Sequence, residues 1–255
     1  MLIDSHAHIQ KNELTDKLED VLGRAKDAGV EKIICVGYDY PSSVEAVKLA
    51  SEYPMIYAVV GVHPHDAKTY QGDIPQQLLK LAKSPKVVAI GEIGLDFYRD
   101  LSPRDQQRKV FFEQIKLAQE LYKPIVIHDR DAHQEVMEII KKEKAGKNEG
   151  VMHCYSGYLP MAVELIKEGF YISFAGPLTY KNAKKTQEVA AKIPIDRILV
   201  ETDCPYLTPE PYRGSVNEPA RVRLVAEKLS AIRHKTVEEI IYLTGVNARK
   251  VFRIN

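Results

Sequence analysis

The sequence has few cysteines, almost no net charge and no long apolar run. Of its 255 residues only three are cysteines, and 36 basic residues nearly cancel 35 acidic ones to leave a net charge of +1. An odd and small number of cysteines excludes a scaffold stapled by disulfides. A nearly neutral chain does not coat nucleic acid through bulk electrostatics, so any chemistry on nucleic acid has to come from a local site.

The longest strongly apolar run is Met55 to Val62. It is far shorter than the roughly 20 residues that a membrane-spanning helix needs. The first residues show neither the basic region nor the apolar region of a signal peptide. Together with the scarcity of cysteine, these features lead us to expect a cytoplasmic protein that does not enter a membrane.

Short apolar runs alternate with longer amphipathic stretches from one end of the chain to the other. Eight runs rich in isoleucine and valine predict the strands Leu2–Asp4, Lys32–Val36, Ile56–Val62, Val87–Ile90, Ile125–Ile127, Val151–Met152, Tyr171–Phe174 and Ile198–Val200. Helical patterns separate them, such as Asp16–Ala28 before Gly29 and a long helix from Ser102-Pro103 through Tyr122. This alternation predicts an α/β protein with a single (β/α)8 TIM-type barrel, residues 1–255 forming one domain. A doubly wound open sheet has the same alternation and remains the alternative.

Histidines and acids lie where the predicted strands end. They are His6 and His8 at the first strand, His63 at the third, Glu92 at the fourth, His128 at the fifth, His153 at the sixth and Asp203 at the eighth. The spacings 63→92, 92→128 and 128→153 are 29, 36 and 25 residues, each close to one barrel unit. One register therefore places them all at the C-terminal mouth of the strands, where barrel enzymes keep their active sites. A single histidine at the end of a strand is usually structural. Seven histidines and acids at the same end of the strands instead predict a catalytic metal site, in which some coordination positions stay open for water or substrate.

Short motifs containing these residues follow one another along the whole chain. They are Ile3-Asp4-Ser5-His6-Ala7-His8, Gly61-Val62-His63-Pro64-His65, Gly91-Glu92-Ile93-Gly94-Leu95-Asp96, Ile127-His128, His153-Cys154-Tyr155-Ser156-Gly157 and Glu201-Thr202-Asp203. Together they resemble the TatD family of metal-dependent deoxyribonucleases, in the amidohydrolase superfamily. The segment Asn247-Ala248-Arg249-Lys250-Val251-Phe252 also resembles the end of that family. His-x-His alone would indicate only the superfamily, whereas the combination with Gly-Glu-Ile-Gly-Leu-Asp is far more specific.

The resemblance implies a metal-dependent hydrolase with two divalent cations, Zn2+, Mg2+ or Mn2+. Carried over residue by residue, it implies that one cation is held by His6, His8, Glu92 and Asp203, and the second by Glu92, His128 and His153. Glu92 would then bridge the two ions. Two such cations activate a water molecule and stabilise both oxygens of an in-line phosphodiester displacement. Asp203 would orient or deprotonate that water, and His63 would contact the phosphate or the leaving group.

The substrate implied by the resemblance is DNA, as single strands or 3′ ends, cleaved by hydrolysis of the 3′–5′ exonuclease type. Arg130 and Arg213 fall on expected mouth loops, and a guanidinium suits phosphate oxygens. Tyr212, with Tyr155 and Tyr206, offers a stacking face to an unpaired base. We expect no membrane contact and no obligate protein partner.

Two other functions compete with this interpretation. The first keeps the site but changes the bond to a carboxylic ester or amide, such as an aminoacyl-tRNA ester. The second is a binding module with a structural metal, against which the open ligand set argues.

Other polar residues near the motifs have a less specific interpretation. Asp4 and Glu201 lie two residues before the proposed ligands His6 and Asp203, so their side chains point to the same side of the strand as those ligands. Each either orients a ligand imidazole or supports the barrel as a buried acid. His65, His133 and His234 are interpreted as structural or exposed.

Overall fold

The structure is a computed structural model that describes residues 1–255. Its strands are β1 (Leu2–Ala7), β2 (Val30–Val36), β3 (Ile56–Val60), β4 (Val87–Asp96), β5 (Ile125–Arg130), β6 (Gly150–Met152), β7 (Phe170–Phe174) and β8 (Ile198–Val200). Its helices are α1 (Asn12–Thr15), α2 (Leu18–Asp27), α3 (Tyr40–Glu52), α4 (Ile74–Leu81), α5 (Arg104–Glu120), α6 (His133–Glu143), α7 (Leu159–Lys167), α8 (Lys184–Lys192), α9 (Val222–Arg233) and α10 (Val237–Phe252). None of these helices combines the length and the apolar character needed to cross a membrane.

The eight strands form one sheet in which their spatial order is their order along the chain. The pairs β1–β2, β3–β4, β4–β5, β5–β6 and β7–β8 are parallel. A parallel bridge joins Ala7, at the end of β1, to Cys204, beyond the end of β8. Parallel strands in chain order that alternate with helices have the topology of a (β/α)8 barrel. The predicted fold class is therefore confirmed, and the doubly wound sheet, in which the strand order reverses, is excluded.

Several strands differ from their predicted bounds. β3 ends at Val60 and not at Val62, and β1 continues beyond Asp4 to Ala7. β4 continues beyond the predicted end at Ile90, and β5 continues beyond Ile127. Glycine and acidic residues have low strand propensity, so the apolar pattern stops early. Pairing across the two strands, including Gly94 with His128, extends both of them. Glu92 consequently lies inside a strand and not after one.

The chain divides into two compact units. The first unit comprises Met1–Cys35, Cys154–Val163 and Ile172–Asn255, and it contains β1 and β8. The second unit comprises Val36–His153 and Glu164–Tyr171, and it contains β3 to β6. The interpretation of residues 1–255 as a single domain stays a prediction.

In the first unit, α10 packs against β1 and β8. The helix begins with a capping box, in which the Thr236 side chain accepts from the Glu239 N–H and the Glu239 carboxylate accepts from the Thr236 N–H. The buried Asn247 amide donates to the Ile195 carbonyl at 2.8 Å and to the Ile198 carbonyl at 2.9 Å. Asn247 therefore holds the last helix against the start of β8.

In the second unit, two buried glutamines of α5 hold the segments that carry polar site residues. The Gln114 side chain accepts from the Val62 N–H at 2.8 Å and donates to the Val62 carbonyl at 2.9 Å. The Gln107 side chain makes the same pair of bonds to the Asp96 backbone, at 2.9 and 3.3 Å. Val62 directly precedes His63, so α5 fixes the backbone beside His63 and at Asp96.

Candidate metal centre

Three predicted ligands of the first unit come together at the ends of β1 and β8. The Nε2 atoms of His6 and His8 lie 3.3 Å apart. Oδ1 of Asp203 lies 3.4 Å from Nε2 of His8 and 3.8 Å from Nε2 of His6. Both imidazoles are buried, and the Asp203 side chain is 13% exposed. We call these three residues the first-unit cluster.

Backbone pairing between β1 and the segment after β8 positions the first-unit cluster. The Asp203 N–H donates to the His6 carbonyl at 2.9 Å, and the His8 N–H donates to the Cys204 carbonyl at 2.8 Å. Asp203 has a left-handed backbone with φ 56°, a conformation that aspartate adopts more readily than most residues. The parallel pairing therefore brings together ligands from the two ends of the chain.

Two buried acids next to the first-unit cluster bind the backbone. The Asp4 carboxylate accepts from the Thr202 N–H at 2.9 Å and from the Thr202 hydroxyl at 2.6 Å. Burial raises the pKa of Asp4 to about 8, against the effect of these bonds. Oε1 of Glu201 accepts from the Cys154 N–H at 2.8 Å. Asp4 therefore ties β1 to the segment after β8, as expected for a buried acid that supports the barrel.

In the second unit, three imidazoles surround one oxygen of Glu92. Oε1 of Glu92 lies 2.9 Å from Nδ1 of His128, 3.1 Å from Nε2 of His153 and 3.5 Å from Nε2 of His63. The His128 and His153 rings stack with centroids 5.8 Å apart. We call these four residues the second-unit cluster. His63, predicted to contact the substrate, thus lies directly beside a predicted metal ligand.

Charges in the second-unit cluster shift the pKa values of its members. Burial opposes ionisation of Glu92, but the charges of His153 and His63 and hydrogen bonds from His128 and His153 outweigh it and hold the Glu92 pKa well below its usual value. Burial lowers the pKa of His63 well below its usual value. Burial also acts to lower the pKa of His128, but hydrogen bonds to Asp96 and Glu92 raise it overall. The cluster therefore favours an anionic Glu92 carboxylate, whereas burial favours the neutral form of the His63 ring.

Two residues at this centre were not predicted as functional. Oδ2 of Asp96 lies 2.8 Å from Nε2 of His65 and 3.0 Å from Nε2 of His128. Asp96 is fully buried, and hydrogen bonds from His128 and His65 outweigh the effect of burial and lower its pKa. Strand phase could have identified Asp96, because a residue four positions after Glu92 in a strand points to the same side. His65, interpreted as structural or exposed, contacts this site through Asp96.

The predicted substrate residues lie in cation–aromatic pairs. The guanidinium of Arg130 is 4.0 Å from the Tyr98 ring, that of Arg213 is 4.3 Å from the Tyr180 ring, and that of Arg221 is 4.8 Å from the Tyr212 ring. Such pairs orient a guanidinium on an aromatic face while its N–H groups stay available.

The two further tyrosines suggested as stacking faces differ from each other. Tyr206 is 47% exposed, and its ring centroid lies 6.4 Å from that of His8. Tyr155 is buried, and its hydroxyl donates to the Tyr158 carbonyl at 2.9 Å. The prediction that Tyr155 stacks on a base is therefore wrong, because its faces are covered by the protein.

The donor atoms of both clusters suit a divalent cation. In the first-unit cluster, two imidazole nitrogens face each other at 3.3 Å with a carboxylate oxygen beside them. A neutral imidazole nitrogen that carries no proton presents a lone pair, so a cation at this position satisfies both rings. In the second-unit cluster, imidazole nitrogens converge on one carboxylate oxygen. Imidazole nitrogens of this kind are typical of catalytic zinc sites, and the carboxylate oxygens also suit manganese or magnesium.

Comparison with known proteins identifies the family. The model of the family described as TatD related DNase matches residues 3–253. The chain belongs to the TatD family. It is 48% identical over 255 residues to YabD of Bacillus subtilis, named as an uncharacterized metal-dependent hydrolase, with 100% of both chains covered. The resemblance found in the sequence motifs is thereby confirmed, and the protein is a TatD-family metal-dependent hydrolase.

Two further TatD relatives extend the comparison. The chain is 32% identical over 259 residues to a protein of Erwinia tasmaniensis named 3′-5′ ssDNA/RNA exonuclease TatD, with 99% of this chain and 100% of the relative covered. The crystal structure of YJJV, a TatD homologue from Escherichia coli K12, matches with a TM-score of 0.94 at 31% identity. That match covers 100% of this chain and 98% of the other. The family fold therefore extends over the whole chain.

Proposed function

We propose that this TatD-family hydrolase cleaves phosphodiester bonds in DNA as a 3′–5′ exonuclease that acts on single strands or on 3′ ends. The observation that carries the proposal is the pair of imidazole–carboxylate clusters, one in each unit, at the carboxyl ends of the strands. The Erwinia relative, named 3′-5′ ssDNA/RNA exonuclease, supports it. The small net charge of +1 is compatible with this proposal, because such a chain binds nucleic acid through a local site and not through its overall charge.

The proposed cofactor is a pair of divalent cations, Zn2+, Mg2+ or Mn2+. The proposed ligands are His6, His8, Glu92 and Asp203 for one ion and Glu92, His128 and His153 for the other. When bound, such cations lower the pKa of water and neutralise charge on a phosphate during in-line displacement. Glu92 suits the bridging position because a carboxylate has two oxygens and carries a full negative charge.

Asp203 is the proposed general base. Its side chain is 13% exposed, so water reaches the carboxylate. Its backbone is held by the hydrogen bond to the His6 carbonyl. A carboxylate fixed in this way would accept the proton of the attacking water while the new P–O bond forms and the P–O bond to the leaving-group oxygen breaks; that oxygen leaves as a hydroxyl group after taking up a proton from solvent.

His63 is the proposed contact to a phosphate or leaving-group oxygen. Its Nδ1 accepts from the His65 N–H at 3.1 Å. The neutral ring therefore carries its proton on Nε2, the atom that faces the second-unit cluster. An Nε2–H in this position donates to a substrate oxygen without a change in its own charge.

Arg130, Arg213 and Tyr212 are the proposed nucleic-acid contacts. The two guanidiniums carry planar sets of N–H donors that match phosphate oxygens. The Tyr212 side chain is exposed and sits under the Arg221 guanidinium. An unpaired base stacks on such a ring at a free-energy gain of about 1–3 kcal/mol.

The experiment that tests this function compares three substrates with one metal-loaded preparation. Single-stranded DNA labelled at its 5′ end reports stepwise shortening, bis-p-nitrophenyl phosphate reports diester cleavage and p-nitrophenyl acetate reports ester cleavage. We expect a ladder of shortened 5′-labelled strands that Asp203→Asn, loaded with the same amount of metal, does not produce. Preferred turnover of the acetate would instead favour the carboxylic ester or amide alternative. A fully loaded protein that cleaves none of the three would contradict the proposal.

We further propose a cytoplasmic location and no obligate protein partner. The chain contains only three cysteines. So few cysteines suit a reducing compartment, whereas structural disulfides persist in oxidising ones. Both clusters are built entirely from residues of this chain, so a single chain supplies every proposed ligand.

A further inference from the structure

Asp96 of the second unit binds two histidines and two backbone amides. Oδ2 lies 2.8 Å from Nε2 of His65 and 3.0 Å from Nε2 of His128. Oδ1 accepts from the backbone N–H of Tyr98 at 3.1 Å and of Arg99 at 2.7 Å. An ionised carboxylate only accepts hydrogen bonds, so both imidazoles present an N–H to Asp96. All the hydrogen-bond positions around this buried group are thus filled by donors.

This contact leaves His128 one nitrogen for a cation. Because Nε2 holds a proton for Asp96, Nδ1 is the nitrogen that would give up its proton and present a lone pair when a cation binds. Nδ1 points to Oε1 of Glu92, at 2.9 Å. Metal-ligating histidines commonly donate their other N–H to a carboxylate, which fixes the tautomer and the ring orientation.

The backbone around Asp96 and His128 holds this geometry in place. The Asp96 N–H donates to Gln107 at 2.9 Å, and its carbonyl accepts from the same buried side chain. Gly94, two residues earlier, pairs directly with His128 across β4 and β5. Asp96 pairs with Arg130, two positions beyond the Gly94–His128 pair, so the side chains of Asp96 and His128 lie on the same face of the two paired strands.

We propose that Asp96 is a positioning residue that selects Nδ1 of His128 as the metal-ligating atom, with His65 as a second anchor for the carboxylate. This inference rests on the proposed role of His128 as a metal ligand. A merely structural Asp96, which only caps the turn at Tyr98 and Arg99, would affect thermal stability and leave the ligating nitrogen and the metal affinity unchanged.

The first test determines the ligating nitrogen directly. Zinc-loaded protein labelled with 15N-histidine is studied by long-range 1H–15N correlation, and His128→Gln assigns the His128 signals. We expect the zinc-bound shift at Nδ1 and a proton on Nε2. A zinc-bound Nε2 with the proton on Nδ1 would overturn the proposal. The ligating nitrogen is read from the wild-type spectrum, and His128→Gln serves only to assign the His128 signals.

The second test measures zinc affinity by chelator competition. Asp96→Asn removes the acceptor for one of the two imidazoles, and we expect the affinity for one ion to fall about 10- to 100-fold. His65→Gln retains the bond between Asp96 and His128, so its loss should be smaller. The matched control is His133→Gln. Nδ1 of His133 lies 2.8 Å from Oδ2 of Asp129, which is next to His128 in β5, so this variant also removes a histidine partner of an aspartate. This control should bind zinc as the wild type does.

The outcomes separate this inference from the proposed function. If His128→Gln binds as many zinc ions as the wild type with the same affinity, the proposed ligand set fails. If His128→Gln loses an ion but folded Asp96→Asn keeps wild-type affinity, only the positioning role fails. If Asp96→Asn does not fold, the zinc affinity of His65→Gln and the wild-type spectrum test the positioning role instead. Wild-type affinity in His65→Gln together with zinc bound at Nε2 of His128 would refute that role.

Discussion

Asp203, three residues after the end of β8, is the proposed general base. Its carboxylate lies beside Nε2 of His8, and its left-handed backbone is tied to the His6 carbonyl. Asparagine accepts the same backbone conformation and has nearly the same shape, but it does not accept a proton. The substitution Asp203→Asn therefore separates proton transfer from the local structure.

We expect Asp203→Asn to reduce kcat by at least about 10²-fold, the lower range for loss of a positioned general base. The fold should persist, because the core consists of buried residues in the strand interiors. Turnover of single-stranded DNA is measured after the metal content of the variant has been matched to that of the wild type. Near-normal turnover in the matched variant would remove Asp203 from the catalytic residues.

Arg213 allows a residue-scale test of substrate binding. Its guanidinium lies over the Tyr180 ring, in the first unit. If it binds a phosphate that flanks the scissile bond, Arg213→Ala should lower kcat/KM for an oligonucleotide about 10- to 100-fold, since a charge-assisted hydrogen bond contributes roughly 1.5–3 kcal/mol. Bis-p-nitrophenyl phosphate has no flanking phosphate, so its kcat/KM should change by only about two- to threefold.

The control for Arg213 is Arg249→Ala, at an exposed arginine of α10. This variant should keep wild-type kcat/KM on both substrates. Tyr212→Ala should follow Arg213→Ala in its dependence on substrate, because a stacked base is present only in the oligonucleotide. Equal losses on both substrates for Arg213→Ala would mean that the loop supports the metal centre, and no loss on either would exclude a phosphate contact.

At the scale of elements, the pairing of β4 with β5 builds the second-unit cluster. Gly94 lies opposite His128, and a Cβ at Gly94 would come within 2.0 Å of the His128 carbonyl oxygen. Its φ of 139° is also one that residues with side chains rarely adopt. The close contact of the two strands at this point therefore depends on glycine.

We expect Gly94→Ala to lower the free energy of unfolding by at least about 2 kcal/mol and to weaken metal binding through displacement of His128. The matched control is Gly23→Ala in α2, where nothing lies within 4 Å of the added Cβ. That variant should be more stable by roughly 0.5–1 kcal/mol, because alanine favours a helix over glycine. Urea denaturation measures the change in the free energy of unfolding of both variants. An unchanged free energy in Gly94→Ala would contradict the conclusion that the contact between β4 and β5 depends on glycine.

Element boundaries were the part of the fold that sequence patterns predicted least well. The eight strands and their order are confirmed, but β4 extends through Gly91-Glu92 to Asp96. Local propensity disfavours a strand there, and the hydrogen bonds to β5 outweigh it. For the same reason Asp96 was not predicted as functional, since the predicted strand stopped at Ile90.

At the scale of the whole molecule, the proposed ligand set has places for two metal ions. We expect two divalent ions per chain, measured by elemental analysis after exhaustive dialysis. Glu92→Gln should lower the occupancy of both sites, because an amide carries no charge and has a single acceptor oxygen. His153→Ala should mainly empty one site. Binding of no more than one ion by the wild type at saturating metal would contradict the binuclear centre.

Metal binding should also appear in the stability of the whole molecule. A ligand that binds only the folded chain stabilises it by about 2.7 kcal/mol at a concentration 100 times its dissociation constant. Thermal unfolding of the loaded protein should therefore shift upward from that of the chelator-treated protein. The shift should be reduced in Glu92→Gln and retained in His133→Gln.

The sequence by itself determined the number and order of the strands and the types of the donor residues. Strand periodicity and motif spacing are local, so they assign His6, Glu92 and His128 to the first, fourth and fifth strands without knowledge of packing. Only the tertiary structure decided that Asp4 binds Thr202 and that Asp96 joins His65 to His128. These contacts join residues far apart in the chain, and they form because buried polar groups must find partners within the packed fold.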